Sequence, residues 1–204
     1  MRFRDDDGIV VRVMARGADI VAAPTLMTVD EYFRTPETVL PMELIYGAMR
    51  VCDAPAPRHQ SAVLALSLAL DRHVRDRQLG RVWIAPLDVV LSERRALIVQ
   101  PDLMFISNER EWIVTDRVRG APDLVVEVLS PNPRIGGTDE RIRWFAEYNV
   151  RECWLLHQDR REMEVLEFAN RQQSARRVLR SSEPMQSGVL PDFHETLDAM
   201  LEGR

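Results

Sequence analysis

The sequence predicts an α/β (α+β) fold with a mixed central β-sheet flanked by helices. A long segment, 54–80, has apolar residues at helical spacing, and several short apolar runs follow it. A second helical segment then separates these runs from a final pair of strands. This order indicates a mixed sheet with the long helix packed on it.

The N-terminal quarter of the chain predicts an extension, a short helix and a hairpin. Residues 1–24 carry an acidic cluster and then a β-like run, and we interpret them as an N-terminal extension to a single domain over 25–204. Thr28 followed by Glu31 forms a capping-box pattern, which opens a short helix. The segment MELIYGAMRV predicts two short strands that turn at Gly47.

The rest of the chain supplies the long helix and most of the sheet. Within the segment 54–80, prolines precede the apolar run from Val63 to Val74 and Gly80 lies just past its end, as is typical of an amphipathic helix. The elements predicted after it are a strand over 81–91, strands from Gln100 to Ile106 and from Asp123 to Leu129, a helix over 138–149 capped by Thr138, a hairpin of ECWLLH with EMEVLEF, and a short C-terminal helix.

Composition narrows the class of protein. The chain has 204 residues, of which 46% are hydrophobic and 29% charged, and this fits one compact domain. Its net charge of −5 provides no general cationic field, so any binding of nucleic acid must be local. Because it has neither an apolar stretch of roughly 20 residues nor a signal-peptide pattern, we expect a cytoplasmic protein that does not contact membranes.

Two apolar runs each carry one acid. Asp102 follows Pro101 beside LMFI, and Glu127 lies inside LVVEVL. An unpaired carboxylate in an apolar setting is costly, so each acid needs a compensating partner. Carboxylates from adjacent strands can converge on a divalent cation, which would offset their desolvation and their repulsion. A structural acid at the start of a strand is the alternative for Asp102, and Glu43 has a similar apolar setting.

These acids lie in segments that resemble the Uma-type restriction-endonuclease family of the PD-(D/E)XK nuclease superfamily. The resemblance implies a restriction-endonuclease-like fold and a Mg²⁺- or Mn²⁺-dependent nuclease, with Asp102 and Glu127 as metal ligands and Glu43 completing the catalytic site. His59 and Gln60 match family positions that would contact substrate or orient a ligand. The segments that carry the resemblance are MTVDEYF, MELIYGAMRV, APRHQSAV, GRVWIAPLDVVL, VQPDLMFIS, GAPDLVVEVLSP, NVRECWLL and EVLEF.

The sequence departs from the superfamily at its lysine. That lysine normally lies two residues after the second acid or in the following helix, and these places hold Leu129 and Arg141 here. The chain contains no lysine at all. Arginine stays protonated, so Arg141 can hold a phosphate or stabilise charge at a catalytic site but cannot act as a general base.

Two functions therefore remain open at the level of sequence. The first is a metal-dependent nuclease that hydrolyses phosphodiester bonds, with DNA as the expected substrate. The second is a catalytically impaired member of the fold that binds nucleic acid or acts as an oligomeric scaffold. The resemblance also leads us to expect a homodimer.

Overall fold

Helices pack against two mixed β-sheets in the computed structural model, which describes residues 26–36, 41–51, 54–129 and 137–202. The predicted extension, 1–24, lies outside the described residues. The helices are α1 (Val29–Phe33), α2 (Pro57–Asp76), α3 (Thr138–Glu147) and α4 (Leu197–Glu202), and the strands are β1 (Met42–Ile45), β2 (Ala48–Val51), β3 (Gly80–Ile84), β4 (Val89–Ser92), β5 (Leu97–Val99), β6 (Leu103–Ser107), β7 (Val118–Arg119), β8 (Leu124–Val128), β9 (Glu152–His157), β10 (Glu162–Ala169) and β11 (Gln172–Arg180).

The strands divide between a smaller and a larger sheet. The smaller sheet has the order β2-β1-β5-β4-β7, and the larger one has the order β11-β10-β9-β8-β6-β3. Each sheet contains one parallel pair, β4 with β7 and β8 with β9, and its other pairs are antiparallel. The predicted class, an α/β fold with a mixed β-sheet flanked by helices, is confirmed, and the strands form two such sheets where one central sheet was expected.

Helix α2 lies on one face of the larger sheet. Its side chains Leu66, Leu70 and Val74 are buried in a core with residues of β6 and β8, whereas Leu64 and Leu68 face solvent. This division follows the helical period, because residues three or four apart share a face. This packing fixes α2 on the larger sheet, and it therefore also fixes where the first turn of the helix lies relative to that sheet.

Two local predictions at helix ends have different outcomes. At α1 the capping box is confirmed, since the Thr28 hydroxyl accepts from the Glu31 N–H at 3.2 Å and the Glu31 carboxylate accepts from the Thr28 N–H at 2.7 Å. At α3 the predicted cap is wrong. Gly137 occupies the N-cap position and Thr138 is the first helical residue, with no side-chain capping bond.

The segment 81–91, predicted as one strand, forms two strands in different sheets. Strand β3 ends at Ile84, and β4 begins at Val89 in the smaller sheet. Pro86 lies between them and has no N–H to donate to a ladder, which favours a break at this point. Three strands were not predicted, namely β5, β7 and β11.

No helix within the described ranges has both the length and the apolar character needed to cross a membrane.

Replacing one leucine of α2 tests how strongly this helix is held. Leu66→Ala removes a fully buried side chain, and we expect it to lower the free energy of unfolding by about 2–5 kcal/mol. Leu64→Ala, two residues earlier on the 60% exposed side, should cost about 0.5 kcal/mol or less. Urea unfolding monitored by circular dichroism measures both, and equal losses would contradict the packing described here.

A histidine of α2 should make stability depend on pH. His73 is 8% exposed, its Nε2 lies 2.9 Å from the Pro191 carbonyl oxygen, and burial lowers its pKa, with Arg77 adding to the effect. The unfolded chain then takes up a proton as pH falls below about 6.5 while the folded protein does not, so stability is lost as pH falls through this window. His73→Gln should therefore lose less unfolding free energy than the wild type between pH 7.5 and 5.5. An identical loss in both proteins would contradict the assignment.

Candidate functional site

Asp102 and Glu127 meet at the same end of two adjacent strands. Strands β6 and β8 pair antiparallel with Leu103 opposite Val126. Asp102 directly precedes β6, and continuing the register by one residue places it opposite Glu127. Residues directly opposite one another in an antiparallel pair project from the same face of the sheet. The Val128 N–H donates to Asp102 Oδ2 at 2.8 Å, which holds this carboxylate against β8.

Arg141 of α3 links Glu127 to an acid from the other sheet. Its Nε and Nη2 donate to Glu127 Oε1 at 3.0 and 2.6 Å, and its Nη1 lies 2.9 Å from each carboxylate oxygen of Glu43 in β1. Glu43 is 1% exposed and also accepts from the backbone N–H of Gln100 at 2.8 Å. One guanidinium thus connects the two sheets through α3.

His59 approaches the acids from the first turn of α2. Its Nε2 lies 3.0 Å from Asp102 Oδ1, and this hydrogen bond raises the pKa of His59 against the opposing effect of burial. Its Nδ1 is buried and has no hydrogen-bond partner among the residues that the structure describes. The side chain of Gln60 is exposed and forms no hydrogen bond with any residue in the described part of the chain. The structure therefore groups His59 with the acids but leaves Gln60 outside their hydrogen bonds.

Negative charge exceeds positive charge in this cluster. Burial raises the pKa of Glu127 to about 7, Asp102 and Glu43 add to the rise, and Arg141 opposes it. Burial disfavours the charged form of Arg141, but Glu127 and Glu43 outweigh this effect and raise its pKa. Arg141 therefore stays protonated, and this one permanent positive charge faces the carboxylates of Glu43 and Glu127, while Asp102 contacts His59.

This donor set is compatible with a divalent cation held by two protein carboxylates. Among the residues that the structure describes, no three histidine, cysteine or acidic side chains are close enough together to hold a metal ion. Mg²⁺ commonly uses only one or two carboxylates and completes its shell with water and substrate oxygens. Asp102 and Glu127 supply such a pair, and the excess negative charge favours a cation beside them.

Asp88 and Gln100 extend the network behind Glu43, and the sequence did not indicate either of them. The Gln100 side chain donates to Asp88 Oδ1 at 2.9 Å, and the Tyr32 hydroxyl donates to the same atom at 3.3 Å. Burial raises the pKa of Asp88. Both residues lie in segments that carried the family resemblance, but no spacing rule predicts a contact between an amide and an acid from different strands.

Asp123, at the opposite end of β8, has a different environment. It is fully buried and accepts from the Ser107 N–H at 2.9 Å, with Arg110 and Arg151 at 3.4 and 3.3 Å. These contacts tie β8 to β6 and to the residues around it.

Comparison with known proteins gives one family and one informative structure. Residues 29–199 match the model of the Uma2 family, described as "Putative restriction endonuclease". The crystal structure of a putative nuclease from Anabaena variabilis ATCC 29413 superposes with a TM-score of 0.72 at 17% sequence identity, covering 86% of this chain and 98% of that chain. At this identity the likeness establishes the fold. No match was found among curated proteins.

Removing the guanidinium at the centre of the cluster should destabilise the protein. Arg141→Met leaves Glu43 and Glu127 buried without their cation, and we expect it to lower the free energy of unfolding by about 3–5 kcal/mol at pH 7. Arg143→Met is the matched control, because this exposed residue lies two positions along α3 and forms no ion pair with the described residues. Urea unfolding of both variants provides the comparison, and equal stabilities would show that the bridge contributes nothing.

Proposed function

Because the chain belongs to the Uma2 family of putative restriction endonucleases, we propose that it is a metal-dependent nuclease that hydrolyses phosphodiester bonds of DNA. The observation that carries the proposal is that Asp102, directly before β6, lies beside Glu127 of β8 at the same end of the two strands, where the continued register directs both side chains to one face of the sheet. Two carboxylates so placed can share one ion, and carboxylate oxygen is the ligand type that Mg²⁺ and Mn²⁺ prefer.

The metal ligands in this proposal are Asp102 and Glu127, and the ion is Mg²⁺ or Mn²⁺. When bound, such an ion stabilises charge on the phosphoryl oxygens and makes a water molecule more acidic. The protein restrains the ligands from several sides. The Val128 N–H and His59 each contact one oxygen of Asp102, while Arg141 binds Glu127. Ligands that are oriented in this way lose little freedom when they bind an ion.

Arg141 holds the acids in place and takes no part in proton transfer. Its guanidinium donates to Glu127 and Glu43, and its raised pKa keeps it charged. It therefore cannot replace a lysine that accepts or releases a proton. Glu43 contributes by fixing the far side of the guanidinium, which in turn restrains Glu127.

We assign different roles to the two neighbouring residues of α2. His59 orients Asp102 through its Nε2, while its buried Nδ1 has no partner in the described part of the chain and can bond to a substrate or water atom. Gln60 is exposed at the start of the helix, where a nucleic-acid strand could accept a hydrogen bond from its amide.

Metal binding and cleavage test the proposal together. Calorimetric titration with Mn²⁺ should give a binding isotherm for the wild type and none for the double variant Asp102→Asn with Glu127→Gln. Cleavage of plasmid and single-stranded DNA with Mg²⁺ or Mn²⁺ should fall at least about 100-fold in the same variant. Asp76→Asn is the control, because this exposed acid lies at the far end of α2 from His59. A wild type that neither binds Mn²⁺ nor cleaves nucleic acid would overturn the proposal.

One observation favours a second function, a catalytically impaired member of the fold that binds nucleic acid or serves as an oligomeric scaffold. Arg141 already binds both Glu127 and Glu43, and arginine cannot exchange protons. Arg141→Lys separates the two functions. Metal-dependent cleavage that appears only in this variant would indicate a degenerate catalytic site, whereas cleavage by the wild type would exclude the second function.

Four further expectations stay as predictions. These are DNA in preference to RNA as substrate, a homodimer, a cytoplasmic location and a single domain over 25–204. Cleavage of matched DNA and RNA strands addresses the first, and sedimentation equilibrium addresses the second.

A further inference from the structure

An arginine beside the acidic cluster has no ion-pair partner among the described residues. In the β1–β2 hairpin, Arg50 lies directly opposite Glu43. Residues paired in this way project from the same face of the sheet. Because Glu43 faces Arg141, the side chain of Arg50 leaves β2 on the face that carries the candidate site.

The packing of the hairpin supports this orientation. Met42, Leu44 and Met49 belong to the apolar cluster around α1, on the other face of the smaller sheet. Glu43 and Arg50 are the residues that alternate with them along the two strands. Since successive side chains of a strand point to opposite faces, both are directed away from α1.

None of the described residues balances the charge of Arg50. The side chain is half-buried and forms no hydrogen bond or ion pair with any residue in the described ranges. Its cross-strand neighbour Glu43 makes no bond to it, and the Glu43 carboxylate accepts instead from Arg141 and from the Gln100 N–H. A guanidinium offers five N–H donors in a planar fork that matches phosphate oxygens.

Before a divalent ion binds, the acidic cluster does not attract an anionic substrate. With three carboxylates around one guanidinium, the site repels phosphate, and the net charge of −5 gives no general attraction. Arg50, whose side chain extends from the face of the sheet that carries the candidate site, offsets this repulsion locally. We propose that Arg50 binds a backbone phosphate of the nucleic-acid strand beside the scissile bond, and this inference rests on the nuclease function proposed above.

Salt-dependent binding to a short fluorescent DNA duplex tests the inference. Anisotropy is measured between 50 and 200 mM salt with Ca²⁺ as the divalent ion, for the wild type, Arg50→Gln, Arg50→Lys and Arg77→Gln. Arg77 is a matched control, since it is exposed, unpaired with the described residues and about 27 Å along α2 from His59. Arg77→Gln removes the same positive charge as Arg50→Gln, but it does so far from the candidate site.

The expected result separates a phosphate contact from a structural role. Arg50→Gln should weaken binding about tenfold and reduce the slope of log K against log salt by about one, because one counterion fewer is released. Arg50→Lys should keep the wild-type slope, and Arg77→Gln should match the wild type in affinity within about twofold.

Three outcomes would overturn the inference. Wild-type affinity and slope in Arg50→Gln would remove the phosphate contact and leave the nuclease function intact. A slope reduced equally in Arg50→Lys and Arg50→Gln would assign the effect to altered structure, and this comparison holds even if Arg50→Gln folds poorly. A wild type that neither binds nor cleaves any DNA or RNA would reject the nuclease function, and the role of Arg50 with it.

Discussion

The contact between Arg141 and two buried glutamates is the constraint on which the site depends. Glu43 comes from the smaller sheet, Glu127 from the larger sheet and the guanidinium from α3, so a single cation connects three elements. Each carboxylate alone would be costly to bury, and the two together would repel each other. The fork of the guanidinium lets one side chain satisfy both, and this arrangement keeps Glu127 beside Asp102.

Arginine at this position changes what the site can do. A lysine ammonium is a compact charge that can lose its proton when desolvated, whereas a guanidinium is planar and remains charged. Here the planar group spans Glu127 on one edge and Glu43 on another. The protein thereby has a rigid scaffold for its acids and lacks a side chain that could relay a proton from this position. Because position 141 holds arginine and not lysine, one geometry is compatible with both a catalytic and a non-catalytic function.

The acids could be selected from the sequence because a charged side chain is unusual within an apolar strand. Asp102 and Glu127 were conspicuous within apolar strands, and the structure brings them opposite one another. The contact of Gln100 with Asp88 was not predictable, since it depends on how separate strands pair and twist. The roles of all these residues still rest on the proposed function.

Strand prediction failed at two places where the apolar pattern of the sequence does not match how the segment is placed in the fold. The edge strand β11 is rich in arginine and glutamine and mostly exposed, so its residues show little of the apolar pattern that indicates a strand. The opposite error occurred over 81–91, where an apolar run looked continuous although the chain passes from one sheet to the other. Helices and central strands were predicted well because burial there imposes a clear period.

The anchored acid at the start of β8 has a consequence for the other end of the strand. Asp123 accepts the Ser107 N–H of β6, and this bond fixes how the two strands are aligned. A slip of one residue in a β-strand turns every side chain to the opposite face. Such a slip would carry Glu127 away from both Asp102 and Arg141. The bond from Ser107 to Asp123 therefore helps to maintain the register that keeps Glu127 in the candidate site, although Asp123 lies at the other end of β8.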